Sequence, residues 1–118
     1  PNGDMVGHTG NYEATIIGLE SVDLQLARDK EAVDAVNGIL IVTADHGNAD
    51  EMYEKPKKEG APIKAKTSHT LNKVPFIVYG ADVKMKEGDF GLSNVAAVVT
   101  DLLDLPADEH WNESIIEK

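Results

Sequence analysis

The run Ile39-Leu-Ile-Val-Thr-Ala44 passes without a break into Asp45-His46-Gly47-Asn48, and this junction constrains the fold more than any other stretch. A β-branched apolar run that does not alternate with polar residues is the pattern of a strand buried on both faces. Open α/β sheets gather their ligand sites at the C-terminal ends of such strands, where the Asp-His pair stands. Val74 to Tyr79 is a second apolar strand, with Pro75 near its start, where a missing N–H is tolerated, and Gly80 closing it.

Helical periods flank the strands. Ile16, Leu19, Val22, Leu26, Val33 and Val36 recur mostly at three- and four-residue steps, with Glu20, Asp23, Asp29, Lys30 and Asp34 on the other face. Asn11 is placed to cap this helix and Gly38 to stop it. Ser93 is placed to cap a second helix through about Leu105, burying Val95, Val98, Val99, Leu102 and Leu103, with Pro106 ending it. Asn2 to Gly10, with three glycines and no apolar period, reads as a shaped loop. Lys55 to Lys66 holds Lys55, Lys57, Lys58, Lys64 and Lys66 and reads as a solvated surface loop. Loop, helix, strand, loop, strand, helix is an α/β order without internal repeats.

A chain of 118 residues, 42% hydrophobic, has room for one small domain. Its 11 Lys+Arg against 21 Asp+Glu give a net charge of −10, a field that repels nucleic acid and acidic membranes and attracts divalent cations. No apolar stretch is long enough to span a bilayer, and no secretory leader is expected. Cysteine is absent, which removes disulfides, thiolate metal sites and a cysteine nucleophile. Arg28 is the single arginine, although bidentate phosphate recognition usually recruits that residue. The opening Pro-Asn-Gly-Asp, without an initiator Met, suggests a piece of something longer, or a processed N-terminus.

Three of the four histidines lie in polar loops and come with carboxylates. Asp4 and His8 stand four apart beside Gly7 and Gly10, Asp45 and His46 are adjacent, and His69 lies in Thr67-Ser68-His69-Thr70. Taken singly, each has a plain structural use in a cap or a turn. Together, in an acidic chain without cysteine, they point to a metal of the Mn²⁺, Zn²⁺ or Fe²⁺ kind rather than to Mg²⁺ or Ca²⁺. Neighbours on a strand point to opposite faces, so Asp45 and His46 meet one ion only if the turn at Gly47 breaks the pleat; otherwise they address two. His110, in the acidic tail, reads as a surface histidine. Ser68, Thr43 and Thr70 are read as structural, because Ser68 and His69 are sequence neighbours without nucleophile geometry and no Gly-x-Ser-x-Gly elbow exists.

Asp4-Met-Val-Gly-His-Thr-Gly10, Thr43-Ala-Asp-His-Gly-Asn-Ala-Asp-Glu51 and Thr67-Ser-His-Thr70 leading into Val74-Pro-Phe-Ile77 closely resemble the C-terminal part of cofactor-independent phosphoglycerate mutases, of the alkaline phosphatase superfamily. The resemblance covers Asn2 to about Leu105. It implies a partial three-layer α/β/α fold, a few strands flanked by helices, with residues 1–118 as one partial domain. It also implies interconversion of 3-phosphoglycerate and 2-phosphoglycerate, in cytoplasmic glycolysis, through a phosphoserine and two divalent ions, usually manganese. By the same resemblance Asp4, His8 and His69 match the ligands of one ion, and Asp45 and His46 two ligands of the other. The nucleophilic serine, a further aspartate and the substrate-holding arginines fall in family segments upstream of Pro1, so no catalytic nucleophile is expected in this chain and the chain alone is expected to be inactive. The stretch 55–66 looks longer than in many members, and 107–118 fits the family pattern poorly. Two other readings remain: a fragment of another superfamily phosphatase or phosphopentomutase, and a free-standing acidic metal-binding or interaction module. Strand edges cut from a larger sheet are expected to promote self-association.

Overall fold

The computed structural model describes residues 1–117. They form α1 (Asn2–Gly7), α2 (Tyr12–Ala35), β1 (Leu40–Thr43), β2 (Phe76–Tyr79), β3 (Lys84–Met85), α3 (Val95–Leu102) and β4 (Ile116–Glu117). β1 neighbours β2 in one two-stranded sheet, and β3 pairs with β4 in another. The mixture of helix and strand is the expected α/β order. The chain divides into two compact units, Pro1–Ile77 and the part from Val78 onward. Among the described residues, no helix is long and apolar enough to cross a membrane.

In the first unit α1 packs against α2. The segment expected as a loop is therefore helical: the Met5 N–H donates to Pro1 O (2.9 Å) and the His8 N–H to Asp4 O (3.1 Å). Its glycines do not break the turn, because Pro1 opens a helix at no cost in hydrogen bonds and tertiary contacts decide the rest. α2 starts as expected, with Asn11 accepting from the Ala14 N–H at 2.9 Å. Its end differs in one detail. Asn37, at φ 51°, takes the left-handed position, while Gly38 supplies the N–H that closes onto Val33 O at 2.9 Å. Asn is tolerated there because its short polar side chain permits that conformation.

Two expectations about burial are corrected. β1 was expected to be buried on both faces, yet it is only half-buried, with Thr43 exposed. The apolar stripe of α2 is likewise open, with Ile16, Leu19 and Val22 each at least 40% exposed. The stripe has the right period, but among the described residues no second layer covers it.

The second unit is built on α3. The helix is entered through a tight turn at Leu92–Asn94, closed by the Asn94 side chain, which accepts from the Gly91 N–H at 2.9 Å; Ser93 does not cap the helix. The Ser93 hydroxyl instead accepts from the Asn112 amide at 2.7 Å. The helix stops at Leu102, earlier than expected, because Asp104 turns left-handed (φ 54°) and the Leu105 N–H closes onto Thr100 O at 2.9 Å. Val98 and Ala97 are buried, whereas Val99 and Leu103 are exposed. The acidic tail returns to complete this core: Ile116 is buried, opposite Met85 in the antiparallel β3–β4 pair, and the Lys86 ammonium donates to Ser114 O at 2.7 Å. Val98 is fully enclosed, so Val98→Ala removes two methyl groups and leaves a void. It is expected to cost about 2 kcal/mol in a denaturant melt.

Candidate metal centre

Three segments of the first unit deliver the polar side chains. In α1, Asp4 and His8 are one turn apart and so share a face. The turn after β1 carries Asp45 and His46, and the segment leading to β2 carries His69. An isolated antiparallel bridge between Gly47 and Thr70 brings the last two segments side by side.

Asp4 Oδ1 is the hub. It lies 3.1 Å from His8 Nε2, 3.1 Å from His69 Nε2 and 3.7 Å from His46 Nε2. The two nitrogens of His8 and His69 are themselves 3.0 Å apart. Three donor atoms thus form a nearly equilateral triangle, and Asp4, His8 and His69 are the group among the described residues whose ligand atoms lie within 4.8 Å of one another. His8 Nδ1 faces the Thr67 carbonyl, and His46 Nδ1 the Gly47 carbonyl at 3.2 Å. A carbonyl only accepts, so each ring carries its proton on Nδ1 and turns the Nε2 lone pair inward, the arrangement that metal-ligating histidines use. The His46 and His69 rings stack, with centroids 3.5 Å apart and planes at 17°.

Asp45 behaves differently from the other four candidates. Its side chain is 85% exposed and its carboxylate approaches only His46, at 3.6 Å. The chain thus gathers Asp4, His8 and His69 tightly, sets His46 beside them, and leaves Asp45 on the open side. His110 lies in the second unit with an 84% exposed side chain, in keeping with a surface histidine.

Asn48 is a member of the site that neither charge nor spacing singled out. It is buried, and its amide donates to Asp4 Oδ1 at 2.9 Å and to Asp4 O at 3.3 Å. This hydrogen bond is the main cause of the lowered Asp4 pKa; desolvation opposes it, and His8, His46 and His69 add to the lowering. Asp4 therefore stays a carboxylate throughout the neutral range. Asn48 Oδ1 is buried, packed against Gly7, and has no hydrogen-bond partner among the described residues. The one sequence signal was its place directly after Asp-His-Gly. Asp50 is the other unforeseen participant. Its carboxylate accepts from the Asn72 amide (2.6 Å) and the Thr70 hydroxyl (2.9 Å), and its pKa is lowered chiefly by Asn72.

The donor set suits a divalent ion. Two imidazole nitrogens 3.0 Å apart, each 3.1 Å from one carboxylate oxygen, offer three donor atoms of the N and O type to a single cation.

Comparison with known proteins agrees with this geometry. The profile of the Metalloenzyme superfamily matches residues 1–107. A 2,3-bisphosphoglycerate-independent phosphoglycerate mutase of Trypanosoma brucei brucei is 46% identical, over 99% of this chain and 23% of its own length. A probable enzyme of the same name from Leptospira interrogans is 43% identical, over 98% of this chain and 23% of its own. A crystal structure of Leishmania mexicana phosphoglycerate mutase, determined at low cobalt concentration, superposes with a TM-score of 0.87 at 46% identity, over 99% of this chain and 24% of that one. The chain spans about a quarter of the length of the relatives it matches.

Proposed function

The chain belongs to the metalloenzyme superfamily, and from that premise we propose that it is the metal-holding part of a cofactor-independent phosphoglycerate mutase. In this reading Asp4, His8 and His69 hold one divalent ion, and Asp45 and His46 supply two ligands of a second. The observation that carries it is the triangle of donor atoms around Asp4 Oδ1, with edges of 3.0–3.1 Å. A set of imidazole nitrogens and carboxylate oxygens without thiolate suits manganese or another divalent transition ion.

The reaction proposed for the whole protein is the interconversion of 3-phosphoglycerate and 2-phosphoglycerate in cytoplasmic glycolysis. The phosphoryl group leaves one glycerate oxygen for a serine, and the phosphoserine returns it to the other oxygen of the same glycerate. Bound divalent ions supply charge neutralisation for the phosphoryl oxygens and acidify the attacking hydroxyl. The part this chain plays is preparatory. Asn48 keeps Asp4 anionic, and the carbonyls of Thr67 and Gly47 hold His8 and His46 in the tautomer that points Nε2 inward. Asp45, 85% exposed, faces the side from which the remaining ligands and the substrate would come. In this reading the serine, a further aspartate and the arginines that hold the substrate are supplied by other parts of the whole protein, in keeping with a chain that spans about a quarter of its relatives' length. The names of the relatives favour a mutase over a phosphatase or a phosphopentomutase.

The purified chain is accordingly expected to show no isomerisation of 3-phosphoglycerate with Mn²⁺ present, because in this reading the attacking serine belongs to another part of the protein. An assay coupled to consumption of 2-phosphoglycerate checks this. Turnover by the chain alone, lost on Asp45→Ala, would overturn the assignment of the nucleophile to another part of the protein.

A further inference from the structure

Asp50 touches none of the five candidate ligands, yet it joins the two segments that carry His46 and His69. Its Oδ2 accepts from the Thr70 hydroxyl (2.9 Å) and from the Asn72 amide (2.6 Å). Thr70, 5% exposed, stands next to His69, and its N–H donates to the carbonyl of Gly47, next to His46, at 2.8 Å. Gly47 has no room for a side chain: a Cβ there would run into the Thr70 hydroxyl and come within 2.7 Å of Asp50 Oδ1. The backbone of one segment, the hydroxyl of the other and the Asp50 carboxylate thus share one close-packed point.

The His69 side chain is 47% exposed and meets His46, itself 27% exposed, through the stack of imidazole faces, so packing alone does not fix His69 and the hydrogen bonds of its neighbour Thr70 help to set where it stands. We propose that Asp50 is a positioning residue: its carboxylate, by holding Thr70 and Asn72 against the Gly47 turn, sets the placement of His46 relative to His69 and so the spacing of the two metal half-sites. The inference rests on the metal-holding reading for its consequence, but its geometric content stands apart from it.

The Thr70 hydroxyl and the Asn72 amide both end on Oδ2, and an amide in place of the carboxylate loses the charge that strengthens both bonds. Asp50→Asn in the full 118-residue chain is therefore expected to weaken Mn²⁺ binding, measured calorimetrically, by roughly 10–100-fold, the usual cost of losing an outer hydrogen-bond partner. Thr70→Val should do the same, and Thr70→Ser, which keeps the hydroxyl, should restore affinity to near that of the unaltered chain. A second readout needs no metal. In the metal-free chain the ring protons of His46 and His69 are shielded by their mutual stacking, and proton NMR should show that shielding reduced in Asp50→Asn and Thr70→Val and kept in Thr70→Ser. Unaltered shielding in the first two variants, or equal behaviour of Thr70→Ser and Thr70→Val, would overturn the inference. Should Asp50→Asn fail to fold, the Thr70 pair decides it. Failure of the unaltered chain to bind Mn²⁺ while the ring shifts follow the expected order would overturn the metal reading and leave the positioning role supported.

Discussion

Asp4→Ala is expected to abolish the response of the chain to Mn²⁺, with an affinity loss beyond the roughly 10–100-fold that removal of an outer partner costs. Asp4 Oδ1 is the hub of the centre, with two imidazole nitrogens at 3.1 Å, a third at 3.7 Å and the Asn48 amide at 2.9 Å. Without it, His8 and His69 have no anionic partner at the triangle, and Asn48 keeps only the longer contact to the Asp4 carbonyl. Two neutral imidazoles alone make a weak site for a hard divalent ion. Calorimetric titration with Mn²⁺ measures the loss, and His110→Ala, far exposed in the other unit, serves as the control that changes nothing.

The second large effect is expected from Gly7→Ala. Inside a helix this exchange normally stabilises by about 1 kcal/mol, since alanine is the better helix former. Here the sign reverses. A Cβ on Gly7 would stand 2.7 Å from Asn48 Cγ and 3.1 Å from its Nδ2, and would overlap Oδ1. Asn48 is only 7% exposed and has nowhere to retreat. The methyl group forces it off Asp4 or forces α1 away, at a cost of about 1–3 kcal/mol for overpacking. Both outcomes disturb the carboxylate that anchors the centre, so Mn²⁺ affinity should fall together with stability. Gly3→Ala in the same helix is the contrast: its Cβ meets only the mobile tip of Leu19 at 3.3 Å, and near-neutral behaviour is expected. Paired denaturant melts and Mn²⁺ titrations of the two variants check the difference.

How far the sequence foretold this can be argued residue by residue. The α2 period and its Asn11 cap were legible because both are local. The convergence of Asp4 and His8 was legible as a spacing, but its cause was misread. Glycines suggested a loop, whereas a helical turn brings the pair together and Gly7 exists for the approach of Asn48, which is distant in sequence. Asn48 and Asp50 went unnoticed because an amide, or a carboxylate among many, carries no signal until its partner is known. The helix ends were placed near their true positions but credited to the wrong residues, since Asn37 and Asp104 take the left-handed conformation less readily than glycine does. The burial expected of β1 and of the α2 stripe was read from apolar pattern, which states what a surface favours and not whether the described chain supplies the cover.

The central claim is that Asp4, His8 and His69 form a preformed site for a divalent ion. Thermal unfolding of the full chain across a series of Mn²⁺ concentrations tests it most directly. An ion that binds only the folded state adds about 2.7 kcal/mol at a hundred times its dissociation constant, so the melting temperature should climb steadily with Mn²⁺ and stay flat in Asp4→Ala. A melting temperature that does not move in millimolar Mn²⁺ would contradict the claim.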